Sequence, residues 1–225
     1  MDTVHGLRQM PLFADLAREE LERIAPMTRA QKFGRYQVIT RAGERGAVVF
    51  LLTAGTVRVS VAGPGGKEVM VGVLYPGDIF GEMAILDGRP RSATVTAMEE
   101  TEVLAIRRQD FLDFIREVPD AAAKMIITLC LRLRRMNQKA GDLAYGRAPQ
   151  RVARMLLELA QGQGQPTSAG TVVEVPFTHR ELAELAGVSR ETFTRLLAMF
   201  QRRGLLTLKR RQLCIQALSQ LEKFV

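Results

Sequence analysis

Apolar positions change their spacing several times along this chain. Over residues 8–27, Leu12, Phe13, Leu16, Leu21 and Ile24 lie on one helical face, with Asp15, Glu19, Glu20 and Glu22 on the other; that pattern predicts a helix. From Met27 to Ile106 the spacing shortens. Val48, Phe50 and Leu52 alternate with their neighbours, as do Val57, Val59 and Val61. Glycine and proline punctuate this region at Gly43, Gly46, Gly55, 63–66 and Pro76-Gly77-Asp78. Many short strands between such turns predict a closed roll or jelly roll.

Residues 109–117 predict a short helix, and Pro119 suits the first position of a longer one reaching about Ala144. Within it Ala122, Ile126, Leu129, Leu133, Met136, Ala140 and Leu143 recur at steps of 4, 3, 4, 3, 4 and 3. That is a heptad seam, with Lys124, Arg132, Arg134, Arg135 and Lys139 off it. One chain supplies one such helix, so its partner is either the same helix of a second chain or the roll of its own chain. Gly146 and Pro149 end the helix and mark a hinge. A helix follows over 150–159, then a polar loop over 161–170 and a short strand over 171–175.

The last stretch reads as two short helices and a hairpin. Thr178 and Glu181 form a T-x-x-E capping box, so a helix starts near His179 and stops at Gly187. Ser189 caps a second helix, RETFTRLLAMFQRR. A three- to four-residue turn containing glycine between two helices predicts a helix-turn-helix. Leu205 to Ile215 forms a hairpin with Lys209, Arg210 and Arg211 at its tip, a wing placed to meet phosphate.

Charge sharpens this division. Of 225 residues, the 81 from Tyr145 onward hold twelve Lys/Arg against six Asp/Glu, most of the formal net charge of +8. A polyanion is the expected partner of that end. No apolar run is long enough to span a membrane, and residues 1–10 lack an apolar signal core. With two distant cysteines, Cys130 and Cys214, the chain is expected to be reduced and cytoplasmic. His5 has no neighbours that would make it a metal ligand.

The densest candidate chemistry lies in IFGEMAILDGRPRSATV, residues 79–95. Gly81 lets a ligand approach the main chain. Glu82 accepts from a sugar hydroxyl, Arg91 offers a planar fork to an anionic phosphate, and Ser92 adds a hydroxyl. A turn at Gly88-Arg89-Pro90 returns the chain so that both charges can face one pocket. The plain alternative is a surface ion pair between Glu82 and Arg91.

This segment resembles the phosphate-binding cassette of the cyclic-nucleotide-binding fold in the CRP/FNR family of bacterial transcription regulators. The resemblance runs from about Leu12 to about Ile215. It implies an α+β architecture: a β-roll ligand domain over 1–118, a dimerisation helix over 119–145 and a winged helix-turn-helix over 146–225. It implies that Gly81 and Glu82, with Met83 beside them, meet the ribose, and that Arg91 and Ser92 hold the cyclic phosphate. The SRETxxR run matches the family's recognition helix. Arg190 and Arg195 are then expected to read guanines and Glu191 a cytosine in a TGTGA-like half-site, with Thr178, His179, Ser189, Thr192, Lys209 and Arg210 around them. An ordinary Glu191–Arg195 helix pair is the alternative.

The expected ligand is cyclic AMP, and the expected partners are a palindromic DNA duplex, a second copy of the chain and RNA polymerase. One departure bears on the ligand. Where cyclic-AMP-binding members place a Thr and a Ser toward the adenine, this chain has Met136 and Asn137; only Asn137 can offer an amide. Cyclic GMP, another nucleotide or a constitutively active dimer therefore stay open, as does a regulatory subunit acting on a protein. The family's iron–sulfur sensors need cysteines this chain lacks. Residues 27–106 contain neither Cys nor His for haem, so no metal, haem or cluster is expected. With no nucleophile–base set or Walker loop, no enzyme activity is expected either.

Overall fold

Proline decides how the chain begins. Pro11 has no amide hydrogen and disfavours helical backbone at Met10, which works against one continuous helix over 8–27. A helix α1 (Thr3–Arg8) ends where that span begins, and within the span stand α2 (Arg18–Ile24) and a 3-10 turn over Ala25–Met27. Successive turns join α1 to α2, with Phe13 N–H on Met10 O and Leu16 N–H on Phe13 O. Leu12, Phe13 and Leu16 are still buried there, so the apolar spacing marked the core correctly while missing the backbone.

The computed structural model describes residues 3–209 and 212–225; the expected wing-tip residues Arg210 and Arg211 lie outside them. The chain divides into two compact units, Met1–Arg134 and Arg135–Val225. No helix of the described residues is long and apolar enough to cross a membrane.

In the first unit the strands are β1 (Thr28–Phe33), β2 (Val38–Thr40), β3 (Val48–Ala54), β4 (Val57–Ala62), β5 (Glu68–Leu74) and β6 (Ile79–Phe80). A short helix α3 (Glu82–Leu86) precedes β7 (Thr94–Ala97) and β8 (Thr101–Arg107). They make two antiparallel four-stranded sheets, ordered β1-β8-β3-β6 and β2-β7-β4-β5. Phe50, Leu52, Phe80 and Val103 of the first sheet meet Val57 and Val95 of the second, forming the inside of the roll. The Phe50 and Phe80 rings stack with centroids 5.1 Å apart.

The alternation expected at Val48, Phe50 and Leu52 does not hold: β3 is apolar at Val49 and Leu51 as well and is buried from Val49 to Leu52, because both of its faces are covered. Val49 and Leu51 point away from the roll interior, into a second cluster with Phe13, Leu21, Phe111, Phe114 and Met125. The helices that supply those residues include α4 (Arg108–Glu117) and α5 (Pro119–Tyr145). The latter is 27 residues long and crosses the division between the units.

The second unit continues with α6 (Ala148–Gln163), β9 (Gln165–Thr167), β10 (Gly170–Glu174), α7 (His179–Leu185) and α8 (Arg190–Arg202). It ends with β11 (Leu206–Lys209), β12 (Gln212–Ile215) and α9 (Leu218–Glu222). Its sheet has the order β11-β12-β10-β9. The stretch expected to be a polar loop over 161–170 instead extends α6 and adds β9. All three residues of β9 are exposed, so their pairing with β10 rests on main-chain bonds and leaves no apolar trace.

Candidate functional site

The segment after β6 is held by its arginine. Gly81 adopts φ 78°, ψ 3°, a left-handed conformation that favours glycine, and starts α3, so the expected loop is in part a helical turn. A Cβ at Gly81 would overlap the Arg91 guanidinium. Arg91 is 8% exposed; its Nη1 donates to Gly81 O at 2.7 Å and its Nη2 to Val48 O at 2.5 Å. The guanidinium also lies 5.8 Å from the Phe50 ring centre. Burial lowers its pKa, against the pull of Glu82 and then Glu44.

Among the described residues no carboxylate lies within ion-pair reach of Arg91. The surface pair expected as the plain alternative is therefore not what forms. Glu82, 3% exposed, instead takes a bond from Arg132 Nη1 on α5 at 2.8 Å, and Arg132 Nη2 donates to Ile79 O. Sequence reasoning missed this partner: Arg132 was visible only as a cation off the seam. Ser92 and Met83 are exposed, with Ser92 Oγ 3.6 Å from Met83 Sδ.

The capping box at Thr178 forms as expected. Glu181 N–H donates to Thr178 Oγ1 at 3.2 Å, and Thr178 N–H to Glu181 Oε2 at 2.8 Å. α7 ends in a Schellman turn: Val188 N–H bonds Ala183 O at 3.0 Å, Gly187 N–H bonds Glu184 O at 3.0 Å, and Gly187 has φ 64°. Ala183, 2% exposed, is small where α7 and α8 approach. Ser189 Oγ accepts from Thr192 N–H at 3.1 Å and starts α8. Phe193, Leu196, Leu197 and Phe200 bury one face, which leaves Arg190, Glu191 and Arg195 exposed on the other. Among the described residues the side chains of Arg190 and Arg195 make no hydrogen bond or ion pair, so the ordinary Glu191–Arg195 pair does not form either. Glu191 has its pKa lowered by its own backbone N–H and then by the Ser189 hydroxyl. His179 sets its ring edge-on to Phe193 at 5.5 Å and is half-buried. Lys209, at the end of β11, is exposed.

A cyclic nucleotide-binding domain matches residues 30–118, and a Crp-like helix-turn-helix domain matches residues 150–224. The chain is 36% identical to the cyclic AMP receptor protein of Thermus thermophilus over 202 residues, 90% of each chain. The chain belongs to the CRP/FNR family. It is 32% identical to the CRP-like cAMP-activated global transcriptional regulator of Mycobacterium tuberculosis, over 81% of this chain and 82% of the other. The crystal structure of the Thermus thermophilus catabolite activator protein covers 95% of this chain and 97% of its own, at 34% identity and a TM-score of 0.55. As a CRP/FNR member the protein is a DNA-binding transcription regulator with a cyclic-nucleotide-binding domain and a helix-turn-helix.

The remaining candidates of this CRP/FNR chain lie on α5, and the helix has two apolar faces. Ala121 and Met125 are buried and Leu129 is half-buried against the helical cluster of the first unit. Ile126, Leu133, Met136 and Leu143 are 62%, 59%, 69% and 52% exposed. Ala140 and Asn137 are exposed and Ala122 half-buried. Of the seven residues expected to form a seam, Leu129 packs against its own chain.

Proposed function

We propose that this CRP/FNR protein is a homodimeric regulator that cyclic AMP switches toward a TGTGA-like palindrome. The observation that carries the ligand half is the Arg91 guanidinium. It is buried, no carboxylate of the described residues comes within ion-pair reach, and two of its five N–H groups are engaged by carbonyl oxygens. A desolvated cation of this kind is costly until an anion completes it. A cyclic phosphate is such an anion, with Ser92 Oγ beside it and the Gly81 main chain open to close approach. Glu82, oriented by Arg132, accepts from the ribose hydroxyl, and Met83 borders the site.

Met136 offers a thioether, which donates nothing to a base edge, whereas Asn137 offers an amide. That favours keeping a second reading, a regulator of this family that answers another nucleotide or none. The names of the Thermus and Mycobacterium relatives support cyclic AMP.

For DNA, Arg190 and Arg195 read guanine and Glu191 accepts from cytosine N4, since all three are exposed at the start of a buried-faced helix. Thr178, His179, Ser189, Thr192, Lys209 and Arg210 position the duplex through phosphates. The exposed side chains of Ile126, Leu133, Met136, Ala140 and Leu143, with Ala122 and Leu129, form the seam with a second copy, which sets two recognition helices about one DNA turn apart, roughly 34 Å. In this reading residues 1–118 take the ligand, 119–145 form the spine and 146–225 bind DNA. The protein acts in the cytoplasm by binding, with RNA polymerase as its protein partner. Cyclic AMP must bind the DNA-competent arrangement better than the other, or nothing shifts.

The test is a mobility shift on a TGTGA palindrome with and without cyclic AMP. The reading expects a shift that strengthens with nucleotide. Equal binding in both lanes removes the switch, and no binding in either removes the DNA half.

A further inference from the structure

Gly146 and Pro149 read as a hinge, yet the main chain there is clamped. Arg151, on the first turns of α6, donates from Nη1 to Gly146 O at 2.6 Å, from Nε to Ala186 O at 3.3 Å and from Nη2 to Gly187 O at 3.1 Å. Those carbonyls belong to two different places: the end of α5 and the turn between α7 and α8. One guanidinium thus caps two helix C-termini, where orphan carbonyls and the helix dipole both favour a cation.

Two further contacts run along the same seam. Asp142, one turn before the end of α5, pairs with Arg154 of α6 at 2.5 Å, both side chains about four-fifths buried. Leu143 packs on Gly187 so closely that a Cβ there would overlap its methyl. A small open pocket of about 30 Å³ lies beside these contacts, against Asp142, Leu143, Arg151, Arg154 and Ala186.

We propose that Arg151 and Arg154 are positioning residues that fuse the last turns of α5 to the α7–α8 turn, so that the recognition helix moves with the end of the long helix. Any displacement at residues 139–145 is then carried into residues 186–189 without slack. Arg151 provides the geometric link, because it spreads donors from three nitrogens to carbonyls on two separate turns, whereas a lysine holds its three donors on one nitrogen. Arg154 fixes the rotation of α5 through Asp142. This link stands apart from nucleotide choice and from DNA sequence, so it can fail or hold independently of the function proposed above.

Amide hydrogen exchange on the full-length protein tests it, since segments that open as one unit share one opening equilibrium. In the wild type, residues 140–146 and 186–189 should exchange with matching protection. In Arg151→Lys, and in Asp142→Asn combined with Arg154→Gln, the two segments should part company, α5's end exchanging roughly tenfold faster as the Arg151 bonds or the Asp142–Arg154 ion pair are lost. Val173→Ala, a cut in the core of the same unit, controls for general loosening and should speed both segments alike. Unequal protection already in the wild type would overturn the proposal, as would matching protection retained in both clamp variants.

Discussion

Arg132 on the long helix donates from Nη1 to Oε1 of Glu82, fifty residues earlier in the chain, at 2.8 Å. The carboxylate it meets is almost fully buried. Long helix and β-roll therefore share a charge at the edge of the candidate ligand site, and Glu82 is held in one orientation by a partner that also donates to Ile79 O.

Removing that partner leaves an ionised carboxylate in a desolvated place. Arg132→Ala should destabilise the protein by about 3 kcal/mol. Urea unfolding of the full chain measures this, and a cost close to zero would mean that Glu82 finds water or another donor.

Gly81→Ala should do harm by two routes. The alanine must sit at φ 78° and its Cβ must displace the Arg91 guanidinium. The strain costs about 1–3 kcal/mol. The displacement should also abolish uptake of cyclic AMP, so thermal unfolding and a nucleotide titration should report the two losses separately.

On the DNA side, the two kinds of contact should separate in one assay. Arg190→Ala should lose about 1–3 kcal/mol at one base pair and relax the preference there. Lys209→Ala should weaken all sequences alike and lower the salt slope by about 1. A selection from random duplexes at several salt concentrations distinguishes them; identical profiles for the two variants would contradict the assignment.

Glu191 titrates below the ordinary glutamate range because its own amide N–H, and then Ser189, favour the ionised form. A depressed folded pKa contributes stability that is present above the unfolded value and lost as pH falls through the folded one. Ser189→Ala should move the Glu191 titration upward, read from its carboxyl carbon shift in NMR. An unmoved titration would show that the hydroxyl contributes nothing.

Much of the fold and of the helix-turn-helix is legible in the sequence. The capping box at Thr178, the cap at Ser189 and the stop at Gly187 are local signals, and each formed where the residues placed it. The apolar runs that build the roll were read correctly because their neighbours punctuate them with glycine. What stayed hidden depends on distance along the chain. The bond from Arg132 to Glu82 and the reach of Arg151 to Ala186 and Gly187 join residues with no shared pattern. β9 stayed hidden for another reason, since a strand exposed on both faces needs no hydropathy signal. Around Pro11 the apolar spacing of a helix continues through a run of turns, so the buried face is legible there and the backbone is not.

If the buried Arg91 guanidinium takes a cyclic phosphate, nucleotide binding must depend on it. Calorimetric titration of the full-length protein and of Arg91→Leu with cyclic AMP tests it most directly. Saturable binding to the wild type, lost in a variant that keeps its circular dichroism, is the predicted result; equal heats from both proteins would contradict it.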